Sequence, residues 1–188
     1  MPEISLAKYG PVFEPLLDLN RPFPVGMGEP DQRVFEALTA ITVESAFEHD
    51  RTVDQAAAAC CLSGLWMFHG FLDQSHTISQ DITNPTGSYW HGIVHRREGD
   101  FSNAKYWFRQ VGEHPSFELL DERISDHDAL LQNKKAAKLC VRGYDPFQFV
   151  DYCRAYAKGE EDLELYCREV TRQEWWTLFD YCYDTAVQ

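Results

Sequence analysis

Long apolar runs are missing from this chain, and no stretch approaches the roughly 20 residues a helix needs to cross a bilayer. Positive charge is scarce as well. Lys and Arg number 17 against 30 Asp and Glu, for a formal net charge of -13. A surface so short of cations does not suit nucleic acid, which is held by basic side chains that displace counterions from phosphate. The six cysteines, Cys60, Cys61, Cys140, Cys153, Cys167 and Cys182, contain no C-x-x-C pair and no zinc-site spacing, which leaves reduced core thiols as the expectation. The N-terminus lacks a charged segment leading into an apolar run with a small-residue cleavage site. No signal peptide is therefore expected, and a cytoplasmic location follows. Period-two alternation is nowhere sustained, so strands have no basis in the sequence.

What is present is apolar, aromatic and helical in period. With 188 residues, 44% hydrophobic and 14% aromatic, the chain is long enough to bury one good core. The expectation is a single all-α domain, a compact bundle of about six to eight helices. Six of the nine prolines, Pro2, Pro11, Pro15, Pro22, Pro24 and Pro30, fall in residues 1–30 and forbid a continuous helix there. Val12, Phe13, Leu16, Leu17, Leu19 and Phe23 are too apolar for a free tail, so this segment reads as an extended arm packed on the body. Helical spacing predicts a helix from Asp31 to about His49, and a second from Thr52 or Asp54 to about Ile78 whose middle, LWMFHGFL, is apolar on every side. After the break NPTG come two short helices, Tyr89–Glu98 stopped by Gly99, and one capped by Asp100 or Ser102 that reaches Val111. Residues 117–140 read as one or two helices, Asp145 and Pro146 open another that closes at Gly159, and the last runs from Asp162 to about Thr185.

The run Tyr89 to Arg109, YWHGIVHRREGDFSNAKYWFR, gathers two histidines and four basic residues in an otherwise acidic chain. Gly92, His95, Ala104, Phe108 and Pro115 follow the order of the key positions of a tetratricopeptide unit, and the stretch resembles one such helical hairpin. Ser88 and His91 stand where tryptophan and leucine belong, and no second copy lies about 34 residues away, so the hairpin is not part of a repeat array. Together with HGFLDQSHTISQ upstream and the Gln173–Trp175 segment QEW, the same run resembles a family of uncharacterised helical proteins from bacteria and fungi. That resemblance implies no activity.

Ionisable side chains recur at i, i+4 and i+7, which share a helix face, in two rows: His69, Asp73 and His76, and His91, His95 and Glu98. Facing helices that supply His and carboxylate groups are how bundles assemble metal sites, so His91, His95 and Glu98 are candidate ligands of a divalent metal. The competing expectation is packing: a histidine on the stripe of Leu62, Leu65 and Trp66 commonly satisfies a carbonyl, and His91 and His95 can simply flank an exposed helix. Arg96, Arg97, Lys105 and Arg109 suit an anion, with Asn103 and Tyr106 beside them as candidate contacts. The resulting expectation is a pocket between the 69–76 segment and the 89–109 hairpin that binds a small anionic molecule. Catalysis there would use His91 or His95 as acid or base, oriented by Asp73. The rival is a scaffold that docks a protein through Trp90 and Trp107, or pairs with a second copy of the chain. Trp175, Trp176, Phe179, Tyr181 and Tyr183 read as core or dimer contacts, and Glu174 as a solvated residue or one that completes the site.

Overall fold

The structure is a computed structural model and describes residues 4–49 and 52–187. Among these residues the protein is all helix, with no strand. Its α-helices are α1 (Gly10–Phe13), α2 (Phe35–Thr39), α3 (Val43–Ala46), α4 (Gln55–Phe68), α5 (Leu72–Gln80), α6 (Pro85–Glu98), α7 (Phe101–Val111), α8 (Pro115–Ser125), α9 (Asp128–Gln132), α10 (Lys134–Cys140), α11 (Pro146–Ala157) and α12 (Glu164–Ala186). The count exceeds the expected six to eight because caps and glycines cut the periodic stretches. Thr42 forms a capping box with Ser45 that starts α3 afresh, so the 31–49 stretch is a 3-10 turn and two short helices. Gly70, at φ 85°, ends the helix expected to reach Ile78 and separates α4 from α5. Asn84 caps α6 by accepting from Gly87 N, and the helix opens at Pro85, so NPTG starts this element and does not merely precede it.

The N-terminal arm is not extended over its first part. Leu6–Leu16 forms a 3-10 turn, α1 and a second 3-10 turn, which place Tyr9 and Phe13 in the core, while Leu17 and Phe23 follow in irregular chain. Pro2, also part of the expected arm, lies outside the described residues. Two hydrophobic clusters form. The larger joins the arm, α4 to α7 and the C-terminal half of α12; the smaller joins α8 to α11 and the first half of α12 around Leu120, Phe149, Cys167 and Val170. At 23 residues α12 is about 34 Å long, enough to serve both. The C-terminal aromatics are core side chains: Trp175, Trp176, Phe179 and Tyr183 are buried and Tyr181 packs on them. All six cysteines are buried as free thiols. Among the described residues, no helix is long and apolar enough to cross a membrane.

α6 lies under α4, α5 and α7. Gly64 of α4 leaves the space that the Trp90 ring occupies, since a Cβ there would stand 2.8 Å from it. α6 and α7 form the hairpin read from the sequence, closed by Gly99 in the left-handed conformation and by Asp100, whose carboxylate accepts from Asn103 N. Gly92 admits the Phe108 ring at the crossing. α5 packs on the other flank, so the buried face of α6 bearing His91 and His95 lies between α5 and α7.

Candidate functional site: a three-histidine cluster

His76 from α5 meets His91 and His95 from α6. Ring centroids lie 4.4 Å apart for His76 and His91, 5.1 Å for His76 and His95, and 4.7 Å for His91 and His95. One ring nitrogen from each lies within 4.8 Å of the others. His91 is buried, and its ring stacks on Trp107 of α7 at 3.9 Å and 16°. Its Nδ1 is buried with no hydrogen-bond partner. Burial, with His76 and His95 adding to it, pulls the His91 pKa down to about 3, so the ring is neutral at physiological pH.

His95 is held at both ring nitrogens. Nδ1 lies 2.9 Å from Glu98 Oε2, and Nε2 lies 3.1 Å from Asn103 Nδ2. A carboxylate only accepts and an amide nitrogen only donates, so Nδ1 carries the proton in the neutral ring and Nε2 keeps its lone pair. Glu98 therefore stands behind His95 instead of joining the cluster. The convergent set is His76, His91 and His95, with Glu98 fixing a tautomer, in place of the expected His91, His95 and Glu98.

The other expected row does not exist, because the break at Gly70 puts its members on different elements. His69 ends α4, and its Nε2 lies 2.9 Å from the carbonyl of Leu16 in the arm. Asp73 is exposed on α5 and lines a separate surface cavity of about 290 Å³ with Met27, Phe35 and Phe71. Of that row, His76 joins the histidine cluster.

The cations are engaged elsewhere. Arg96 is fully buried and forms a two-pronged ion pair with Glu174 of α12, whose Oε1 also accepts from Tyr144 Oη at 2.7 Å. Burial opposes the charge on Arg96, but the adjacent carboxylate outweighs it and raises the guanidinium pKa. Glu174, expected in solvent, is thus a core residue. Arg97 donates from Nε to Gly26 O, from Nη1 to Met67 O and from Nη2 to Met27 O, at 3.1, 3.0 and 3.0 Å, tying the arm to α4. Burial, reinforced by Arg96 and Arg21, lowers its pKa to about 10. Lys105 pairs with Asp151 at 2.7 Å. Arg109 and Tyr106 lie on the exposed side of α7. The expected convergence of these cations on one anion is therefore not found. Trp90 is fully buried and Trp107 is partly covered by His91, so the hairpin does not present the paired tryptophans a docking face would need.

No family model, no curated protein and no solved structure matches this chain.

The expected pocket between the 69–76 segment and the hairpin included His76, but a helix read through Gly70 put it in one row with His69 and Asp73; the glycine between two apolar segments was the available signal for the break. Tyr144 was not anticipated, and Glu174 was not expected in the core. Glu174 sits directly before Trp175 and Trp176 in a helix that is aromatic on several sides, a context that exposes no face for a carboxylate.

Proposed function

We propose that this protein binds a divalent transition-metal ion on His76, His91 and His95 and uses it as a Lewis acid toward a small anionic molecule. The observation that carries this is the convergence of three ring nitrogens within 4.8 Å from two helices. Metal–nitrogen bonds of about 2.1 Å at a tetrahedral angle bring nitrogens to about 3.4 Å of one another, so small ring rotations close the set. Imidazole nitrogens suit zinc, cobalt, nickel, copper or iron. Three protein ligands leave coordination positions open, the pattern of reactive and not of purely structural zinc sites.

Several features support a ligand role over direct acid–base work. With a pKa of about 3, His91 exchanges no proton near neutral pH, yet its lone pair is always available. The His91 Nδ1 atom is buried without a partner, a cost that a metal bond would remove. The Glu98–His95 contact is the carboxylate–histidine pair that orients metal-ligating imidazoles elsewhere. A cytoplasmic setting fits six thiols kept free.

The test is equilibrium dialysis of chelator-treated protein against Zn²⁺ or Co²⁺ with elemental analysis, beside a thermal-melt series. One equivalent of metal and a raised melting temperature are expected in the wild type, with both lost in His76→Ala and His91→Ala proteins that keep their helical circular dichroism. Wild-type protein that takes up no stoichiometric metal after loading would sink the proposal.

A further inference from the structure

The cations nearest the cluster in sequence are committed elsewhere: Arg96, Arg97 and Lys105 are held by Glu174, by backbone carbonyls and by Asp151. Around the three imidazoles lie the Trp107 indole, the Asn103 amide and, behind His95, the Glu98 carboxylate, which repels anions. A divalent ion would reverse the local sign, because three neutral ligands cancel none of its charge.

Asn103 is the residue whose situation a metal changes most. Glu98 holds His95 Nδ1, which leaves Nε2 as the atom that points at the metal. That lone pair is taken by the N–H of Asn103 Nδ2, at 3.1 Å. One nitrogen lone pair serves one partner, so a metal on Nε2 displaces the amide. The freed amide cannot travel far: Asn103 sits in the first turn of α7, and its backbone N–H is held by Asp100 Oδ1 at 3.1 Å. A partly buried N–H that has lost its acceptor is costly, and the nearest place for a new acceptor is the open side of the metal.

Resting on the metal reading above, we infer that the bound ion carries an exchangeable carboxylate ligand, one of whose oxygens binds the metal while the other accepts a hydrogen bond from Asn103 Nδ2. The step is simple ligand exchange: the carboxylate displaces a metal-bound water, and no electron is transferred. Asn103 is then a specificity-determining residue. A two-oxygen anion satisfies the metal and the amide at once, whereas a monodentate anion such as chloride satisfies only the metal. Trp107, stacked on His91, forms an apolar surface beside the cluster.

The experiment uses full-length protein loaded with Co²⁺, whose visible absorption reports its ligands, titrated with acetate and separately with chloride. In the wild type, acetate is expected to shift the cobalt spectrum saturably and at lower concentration than chloride. The metal-free protein should bind neither. Asn103→Ala and Asn103→Leu remove only the side chain, because the Asp100 cap bonds the backbone. Both should hold Co²⁺ as tightly as the wild type or more tightly, since His95 Nε2 loses its competitor, and should bind acetate roughly tenfold more weakly, as expected for one charge-assisted hydrogen bond. A purely structural role for Asn103 predicts the opposite, weaker metal binding. Cobalt binding without any acetate response, or undiminished acetate affinity in both variants, overturns the carboxylate inference and leaves the metal site standing. Failure to bind cobalt at all overturns the metal reading itself.

Discussion

At the scale of single residues, the charged groups of the hairpin divide by direction along α6. His91 and His95 face His76 of α5 and Trp107 of α7, with Glu98 behind His95, whereas Arg96 points to the opposite side and meets Glu174. The buried pair does its work as a pair. Tyr144 donates to the same carboxylate, and Arg96 lies 4.5 Å above the Phe149 ring, so the charges are enclosed but hydrogen-bonded. Burial first, then the negative charge of Glu174, raises the Tyr144 pKa, which keeps its hydroxyl a donor. Removing one partner strands the other. Arg96→Met is expected to cost about 3–5 kcal/mol in urea unfolding, because an unpaired carboxylate is left in the core. The double replacement Arg96→Met, Glu174→Leu should recover a large part of that loss. Equal losses in the single and double variants would show that the guanidinium contributes through packing alone.

At the scale of elements, the decisive feature is the break between α4 and α5. Gly70 has φ 85°, and a Cβ there would stand 2.7 Å from the carbonyl oxygen of Glu29 in the arm. The glycine thus allows the turn and admits the arm to it. Gly99 has the same φ, but an added Cβ meets nothing within 4 Å. Gly99→Ala should therefore lose only the left-handed backbone preference, on the order of 1 kcal/mol, while Gly70→Ala loses that and must also move the arm. Thermal melts of the two variants test the ranking. Gly70→Ala should also weaken cobalt binding, since α5 carries His76; unchanged cobalt affinity in a destabilised Gly70→Ala protein would mean that the turn does not set the histidine's position.

At the scale of the whole molecule, the arm is fixed by polar ties to distant elements. His69 Nε2 contacts Leu16 O, Arg97 holds Gly26 and Met27, and Arg172 donates to Leu19 O at 3.2 Å. Burial is the main reason that His69 titrates at about 4 instead of the usual 6.5, with Arg21 adding to the shift. The unfolded chain thus takes up this proton at a higher pH than the folded one, and stability falls as pH drops from about 6.5 toward 4. His69→Gln keeps a donor for the Leu16 carbonyl and removes the titration. Its melting temperature should fall less than that of the wild type between pH 7 and pH 5; identical slopes would show that His69 does not couple arm docking to pH.

The amino-acid sequence by itself determined the helical class, the hairpin with its Gly99 stop and Asp100 cap, and the core cysteines. These are local properties: period, capping chemistry and turn residues act within a few positions, so they are legible in one dimension. It also carried His91 and His95 as a pair, because i and i+4 lie on one face of any helix. The sequence also set the 69–76 row opposite them, but tertiary structure alone decided that His76 meets them without His69 and Asp73. His76 joins the cluster only because the chain turns at Gly70, and Glu174 is buried only because α6 brings Arg96 to it across 78 positions. The destination of a long charged side chain follows from which elements pack around it. For that reason the basic hairpin, which suggested an anion site in sequence, became a histidine cluster once Arg96, Arg97 and Lys105 had found their partners.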